Sequence, residues 1–192
     1  MSGYALPRSD TSLGAQETVV GVDPLSFAEV FAAHGAYVLP LLGRLGVDAA
    51  DVEDVAQEVF LAIHKNLPTF EGRSQIKTWV CGICLRKAAQ YRRKRHRLRE
   101  KVGAAIPEGR ADEDPAQGLE RRQDAALLRA ALAHLSDKQR EVFVLFEVEE
   151  LSMAEVAQAI GCPRFTAYTR LYAARRALRS LIERLPSGGN AP

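Results

Sequence analysis

Cysteine, methionine and tryptophan are scarce in this 192-residue chain, which holds three, two and one of them. Three cysteines cannot make the dense disulfide framework of a small secreted domain, and they point to reduced thiols. Long apolar runs are missing as well. None approaches the roughly 20 residues that a membrane-crossing helix needs, so membrane insertion is not expected. The opening stretch MSGYALPRSDTSLGAQETVVGVD lacks a basic start followed by an apolar segment, and a cytoplasmic location is the expectation. Strand-like alternation is not evident. Nor is there a Gly-rich phosphate loop, a His-x-x-x-His pair, or a Ser or Cys nucleophile with an evident base partner. An enzyme is therefore not expected, and neither a cofactor nor a resident metal is implied.

What is present is helical periodicity and segregated charge. The composition, 47% hydrophobic and 26% charged, is that of a folded chain. The net charge of +2 averages opposed patches. Asp51, Glu53, Asp54 and Glu58 form an acidic one. Arg86, Lys87, Arg92, Arg93, Lys94, Arg95, Arg97, Arg99 and Lys101 form a basic one. Glu147, Glu149 and Glu150 are acidic again, whereas Arg164, Arg170, Arg175, Arg176 and Arg179 are basic. Such separation suits partners of opposite charge on different faces.

The pattern predicts an all-α fold: two small helical domains joined by a flexible linker, the second a helix-turn-helix. Residues 1–23 read as a mobile extension, 24–101 as the first domain, 102–118 as the linker, 119–186 as the second domain and 187–192 as a tail. Asp23 and Pro24 suit a helix start, and Pro40 should kink the segment after it or mark a restart. Asp48 is placed to cap DAADVEDVAQEVFLAIHKNL. Val52, Val55, Val59, Phe60, Ile63 and Leu67 make one buried stripe there, with Asp51, Asp54, Gln57 and Glu58 on the outer face. PTFEGR is a loop, and Ser74 can cap the helix that follows it. In the second domain Ser136 with Gln139, and Ser152 with Glu155, spell two capping boxes. Gly161 and Pro163 mark the tight turn before a basic second helix, the arrangement of a DNA-reading helix-turn-helix.

Cys81 and Cys84 share a face of the helix containing WVCGICLRKAAQYRRKRHRLREK. A redox pair normally sits at a helix N-terminus, and a zinc site needs about four ligands. Among Val80, Ile83 and Leu85, core packing is the favoured reading, with a thiol-based metal or redox module as the competing one. The basic run favours nucleic acid over a merely solvated face. Arg92, Arg93 and Arg95 are expected on phosphates. Trp79, at a loop-to-helix junction, suits either a core anchor or a base-stacking platform. Phe70, on the loop, favours base stacking.

These residues resemble the compact bacterial sigma factors of the extracytoplasmic-function group. DVEDVAQEVFLAIHKNLPTFEGRSQIKTWVCGI is similar to that family's polymerase-binding helix, specificity loop and first promoter-reading helix. LAHLSDKQREVFVLFEVEELSMAEVAQAIGCPRFTAYTRLYAARRALRSLI is similar to its C-terminal promoter-reading domain, and the likeness spans roughly residues 25 to 185. The resemblance implies a transcription initiation factor whose partners are core RNA polymerase and promoter DNA, with an anti-sigma factor as a further candidate partner. It implies polymerase docking, on the clamp helices of the largest subunit, through Asp51, Asp54, Gln57 and Glu58. It implies melting and reading of the minus-ten element through Phe70, Trp79, Arg86, Lys87, Gln90, Arg93 and Lys94. It further implies reading of the minus-thirty-five element through Arg164, Phe165, Thr166, Tyr168, Thr169, Arg170 and Tyr172. Arg86, Phe165 and Ala173 depart from the family's usual residues at readout positions, which bears on the promoter chosen. The alternative is a stand-alone helix-turn-helix regulator, which would have no need of the acidic face.

Overall fold

The computed structural model describes residues 25–102 and 119–184. The expected extension, tail and nearly all of the expected linker lie outside them, as do Asp23 and Pro24. Three helices form the first group: α1 (Phe27–Arg44), α2 (Val52–Asn66) and α3 (Ile76–Val102). Four form the second: α4 (Leu119–Ala133), α5 (Asp137–Phe143), α6 (Met153–Ile160) and α7 (Arg164–Arg184). No strand occurs among the described residues.

Local chemistry sets most of the boundaries. Ser26, rather than Asp23, caps α1: its hydroxyl accepts from the Glu29 amide while the Glu29 carboxylate accepts from the Ser26 amide. The same reciprocal arrangement starts α5 at Ser136 and Gln139, and α6 at Ser152 and Glu155. Asp48 precedes a short 3-10 turn (Ala49–Asp51) without a side-chain capping bond, and α2 begins only at Val52. Pro40 does not break α1. Its ring is exposed, while Val38, Leu41 and Leu42 on the opposite face are fully buried and hold the helix across the missing hydrogen bond.

A π-helical turn (Val144–Val148) extends α5. The following Glu150 lies in the left-handed region at φ 57°, which costs a non-glycine residue conformational energy. Together they aim the buried Glu149 at the first helical group. Gly161, at φ 72°, ends α6 and turns the chain into α7.

The buried apolar residues make one continuous cluster across both groups, from Val38, Leu42 and Val59 to Val142, Leu145, Val156 and Leu171. Between the groups α3 packs on α6 and α1 touches α4. Cys81 and Cys84 are fully buried in this cluster. Burial pushes the Cys81 thiol up to about 11 and that of Cys84 higher still, as expected of packing residues. No helix of the described residues is long and apolar enough to cross a membrane.

Candidate polymerase and nucleic-acid interfaces

The acidic face of α2 is built by helical spacing. Asp54, Gln57 and Glu58 are exposed, opposite Val55, Val59 and Ile63 in the core. Asp51 is different. It is half-buried, and its carboxylate accepts a 2.6 Å hydrogen bond from the Tyr91 hydroxyl of α3. Burial and that carboxylate raise the Tyr91 pKa. Asp51 is thus a strut between α2 and α3 as well as a face residue. Leu61, 71% exposed, lies on the same side as Asp54 and Glu58. The sequence pattern had not singled it out, although its spacing from Asp54 and Glu58 was there to be read.

Phe70 and Trp79 meet. Their ring centroids are 5.1 Å apart at an interplanar angle of 50°. They line a cleft of about 290 Å³ with Arg86, Arg73, Thr69 and Thr78. Both rings are half-buried, so each anchors locally while keeping part of its surface open. Arg86, Gln90, Arg93 and Lys94 are exposed and follow one side of α3 at helical spacing, leading away from the cleft. Lys87 leaves that line: its ammonium pairs with Glu58 at 2.9 Å, joining one expected DNA residue to one expected polymerase residue.

Gln158 and Ala159 of α6 form the far wall of the cleft, and the Gln158 side-chain amide donates to the Arg73 carbonyl at 3.2 Å. Thr78 donates to Glu155 at 3.2 Å, and Lys77 to the Glu149 carbonyl at 2.8 Å. The helix-turn-helix therefore abuts the cleft in this arrangement.

Arg92 and Arg95 are turned inward, against expectation. Arg92 pairs with Glu141 at 2.7 Å, lies 3.0 Å from Asp137 and donates to the Leu45 carbonyl. Arg95 pairs with Asp48 and donates to the Tyr91 hydroxyl at 3.0 Å. Carboxylates twenty or more residues away claim these guanidiniums, which a linear charge run does not reveal.

On α7, Phe165, Tyr168 and Tyr172 stand out from the protein, the first 82% and the last 72% exposed. Thr169 lies between them, its hydroxyl donating back to the Phe165 carbonyl at 3.0 Å. Arg164 is exposed beside them, whereas Thr166 and Arg170 are half-buried at the flank. Arg176 and Arg179 extend the exposed side. Arg175 is withdrawn onto Glu147 at 2.6 Å, stacking over Phe146.

Comparison with known proteins gives the family of the chain. The family pattern described as Sigma-70 region 2 matches residues 30–98, and that of Sigma-70, region 4 matches residues 125–178. The probable RNA polymerase sigma-C factor of Mycobacterium bovis is 35% identical over 133 residues, covering 68% of this chain and 70% of its own. The chain belongs to the sigma-70 family. Within that family it groups with the ECF RNA polymerase sigma factors. SigW of Bacillus subtilis is 26% identical over 175 residues, covering 85% of this chain and 92% of its own. Among solved structures, the sigma factor RpoE of Bartonella quintana, in complex with the anti-sigma factor NepR, superimposes with a TM-score of 0.64. It is 25% identical, over 80% of this chain and 96% of that one. This sigma factor is accordingly a non-enzymatic initiation factor whose partners are RNA polymerase and promoter DNA.

Proposed function

We propose that this sigma factor divides its work among three surfaces. The exposed side of α2, Asp54, Gln57 and Glu58 around Leu61, docks on the clamp helices of the polymerase largest subunit. The cleft between Phe70 and Trp79 receives an unstacked base of the minus-ten element as the duplex melts. Arg86, Gln90, Arg93 and Lys94 track its backbone, and Lys87 joins them when released from Glu58. Residues Arg164 to Tyr172 of α7 read the minus-thirty-five element in the major groove. The unit of residues 24–101 performs the first two tasks and that of 119–186 the third. The site of action is the cytoplasm, and an anti-sigma protein is a further partner of the same helical groups.

The aromatic pair at the head of a cationic helix side supports this reading best. A stacking platform followed by guanidinium and ammonium groups is what capture of a single-stranded segment requires. Co-purification with core polymerase tests the assignment of α2. Asp54→Lys with Glu58→Lys should abolish association and leave the circular dichroism of the free protein unchanged. Retained association would refute docking through α2. Tight promoter binding by the chain without any core affinity would instead identify a stand-alone regulator.

A further inference from the structure

The geometry points to a binding site for a small oligophosphate between the two helical groups, sharing only Arg93 with the promoter-reading surfaces. A cavity of about 730 Å³ opens where the end of α1, the basic half of α3, α4 and the start of α5 converge. That is the size range of small-ligand sites. Seven arginines and one histidine line it, against two aspartates, Asp48 and Asp137.

Three of the arginines are already matched: Arg44 by Glu149, Arg92 by Glu141, and Arg95 by Asp48. The other four, Arg93, Arg99, Arg129 and Arg140, have no carboxylate ion pair among the described residues. Arg140 is held by carbonyls alone, donating to Leu132 at 2.9 Å and to Leu135 at 3.4 Å. Its guanidinium occupies the space beside Gly46, where a Cβ would overlap it.

Like charges gathered around a concave space repel one another unless an anion joins them. Planar guanidiniums suit phosphate oxygens, which they bind through paired N–H donors. The four come from three helices and face a common cavity. A groove-tracking surface would instead run along one helix, as Arg86, Gln90 and Lys94 do, and Arg93 stands where that line meets the cavity. Three or four phosphate charges would match the unpaired arginines, so the ligand class is a nucleoside polyphosphate or an inorganic oligophosphate. Bridging α3 to α4 and α5, such a ligand would hold the two helical groups together.

Calorimetric titration of the full chain with tripolyphosphate and with ATP, at physiological salt, tests the site. One saturable site is expected for tripolyphosphate. Comparably tight binding of both ligands would indicate that the phosphates carry recognition, and tighter ATP binding that a nucleoside also fits. Arg99→Ala with Arg129→Ala, both exposed and remote from the core, should weaken binding about tenfold per arginine. Arg176→Ala with Arg179→Ala on α7 should leave it unchanged. Absence of a saturable site would overturn the proposal. So would equal weakening in the two double variants, which would reduce the effect to general surface charge. If Arg99→Ala with Arg129→Ala instead weakened duplex DNA alone, the cavity would belong to the promoter track and the site would not exist.

Discussion

Arg44 and Glu149, 105 residues apart in sequence, form an ion pair of 2.9 Å that joins the first helical group to the second. Glu149 is only 7% exposed, whereas Arg44 keeps about a third of its side chain in solvent. Lys77 donates to the Glu149 carbonyl, so one residue is gripped by both its side chain and its backbone. The grip brings Gln158 and Ala159 to the wall of the Phe70–Trp79 cleft.

Glu149→Ala should therefore lower stability by about 1–3 kcal/mol, less than for a fully buried pair because Arg44 retains water. Arg44→Ala should cost less, and the double variant should cost less than the two together. A coupling of about 1 kcal/mol in a denaturation cycle is the expected result. Simple additivity would mean that the pair contributes nothing jointly.

The same long-range pairing limits what the basic run of α3 can do for DNA. Arg93→Ala with Lys94→Ala should flatten the salt dependence of promoter binding, by about 0.9 in slope for each lost phosphate contact. Arg92→Ala should act otherwise. It releases Glu141 and the Leu45 carbonyl, so thermal unfolding should fall while the salt slope stays near that of the parent. A slope change for Arg92→Ala equal to that of Arg93→Ala, with no loss of stability, would put Arg92 back on the phosphates.

Contrasts of this kind show which parts of the molecule are legible in a linear sequence. The capping boxes at Ser136 and Ser152, the glycine turn at Gly161 and the apolar stripe of α2 depend on residues within a turn or two of each other. Their spacing alone carried them. The roles of Asp51, Arg92 and Glu149 depend on partners 40, 49 and 105 residues away. Charge alone cannot say which carboxylate a guanidinium will find. Pro40 marks no restart, because its local cost is outweighed by burial on the other side of α1, a property of the tertiary fold. The π turn at Val144–Val148, which aims Glu149, leaves no mark in hydrophobic spacing.

The buried thiols give a prediction in pH. Burial holds Cys81 at about 11, above the ordinary thiol value near 8.5. A raised folded value means that the unfolded chain loses its proton first. Stability from this thiol is complete below pH about 8.5 and declines as pH rises towards 11, by an amount on the order of 3 kcal/mol. Cys84 adds in the same direction. Urea denaturation between pH 8 and 10.5 should show the loss, and Cys81→Ala should make it shallower. At pH 8 an alkylating reagent should label the half-buried Cys162 well before either core cysteine. Fast labelling of Cys81 would contradict its place in the core.

Under the proposed division of surfaces, promoter choice rests on α7. A recognition helix enters the major groove by its N-terminal part, where Phe165, Tyr168 and Tyr172 present apolar surface beside Arg164. Aromatic rings pack on thymine methyls but cannot make the paired hydrogen bonds that single out guanine. Tyr172→Ala should thus relax selection at one thymine by about 1–3 kcal/mol while leaving polymerase affinity intact. Ala173, half-buried at the edge of the same surface, carries no hydrogen-bonding group of its own. Ala173→Arg introduces a long fork beside Tyr172, and it should shift selection at a single position towards guanine. Binding-site selection with the parent and both variants, in the presence of core polymerase, separates these outcomes. If all three select the same minus-thirty-five sequence, neither residue faces the bases, and the reading surface must lie nearer the exposed arginines Arg176 and Arg179.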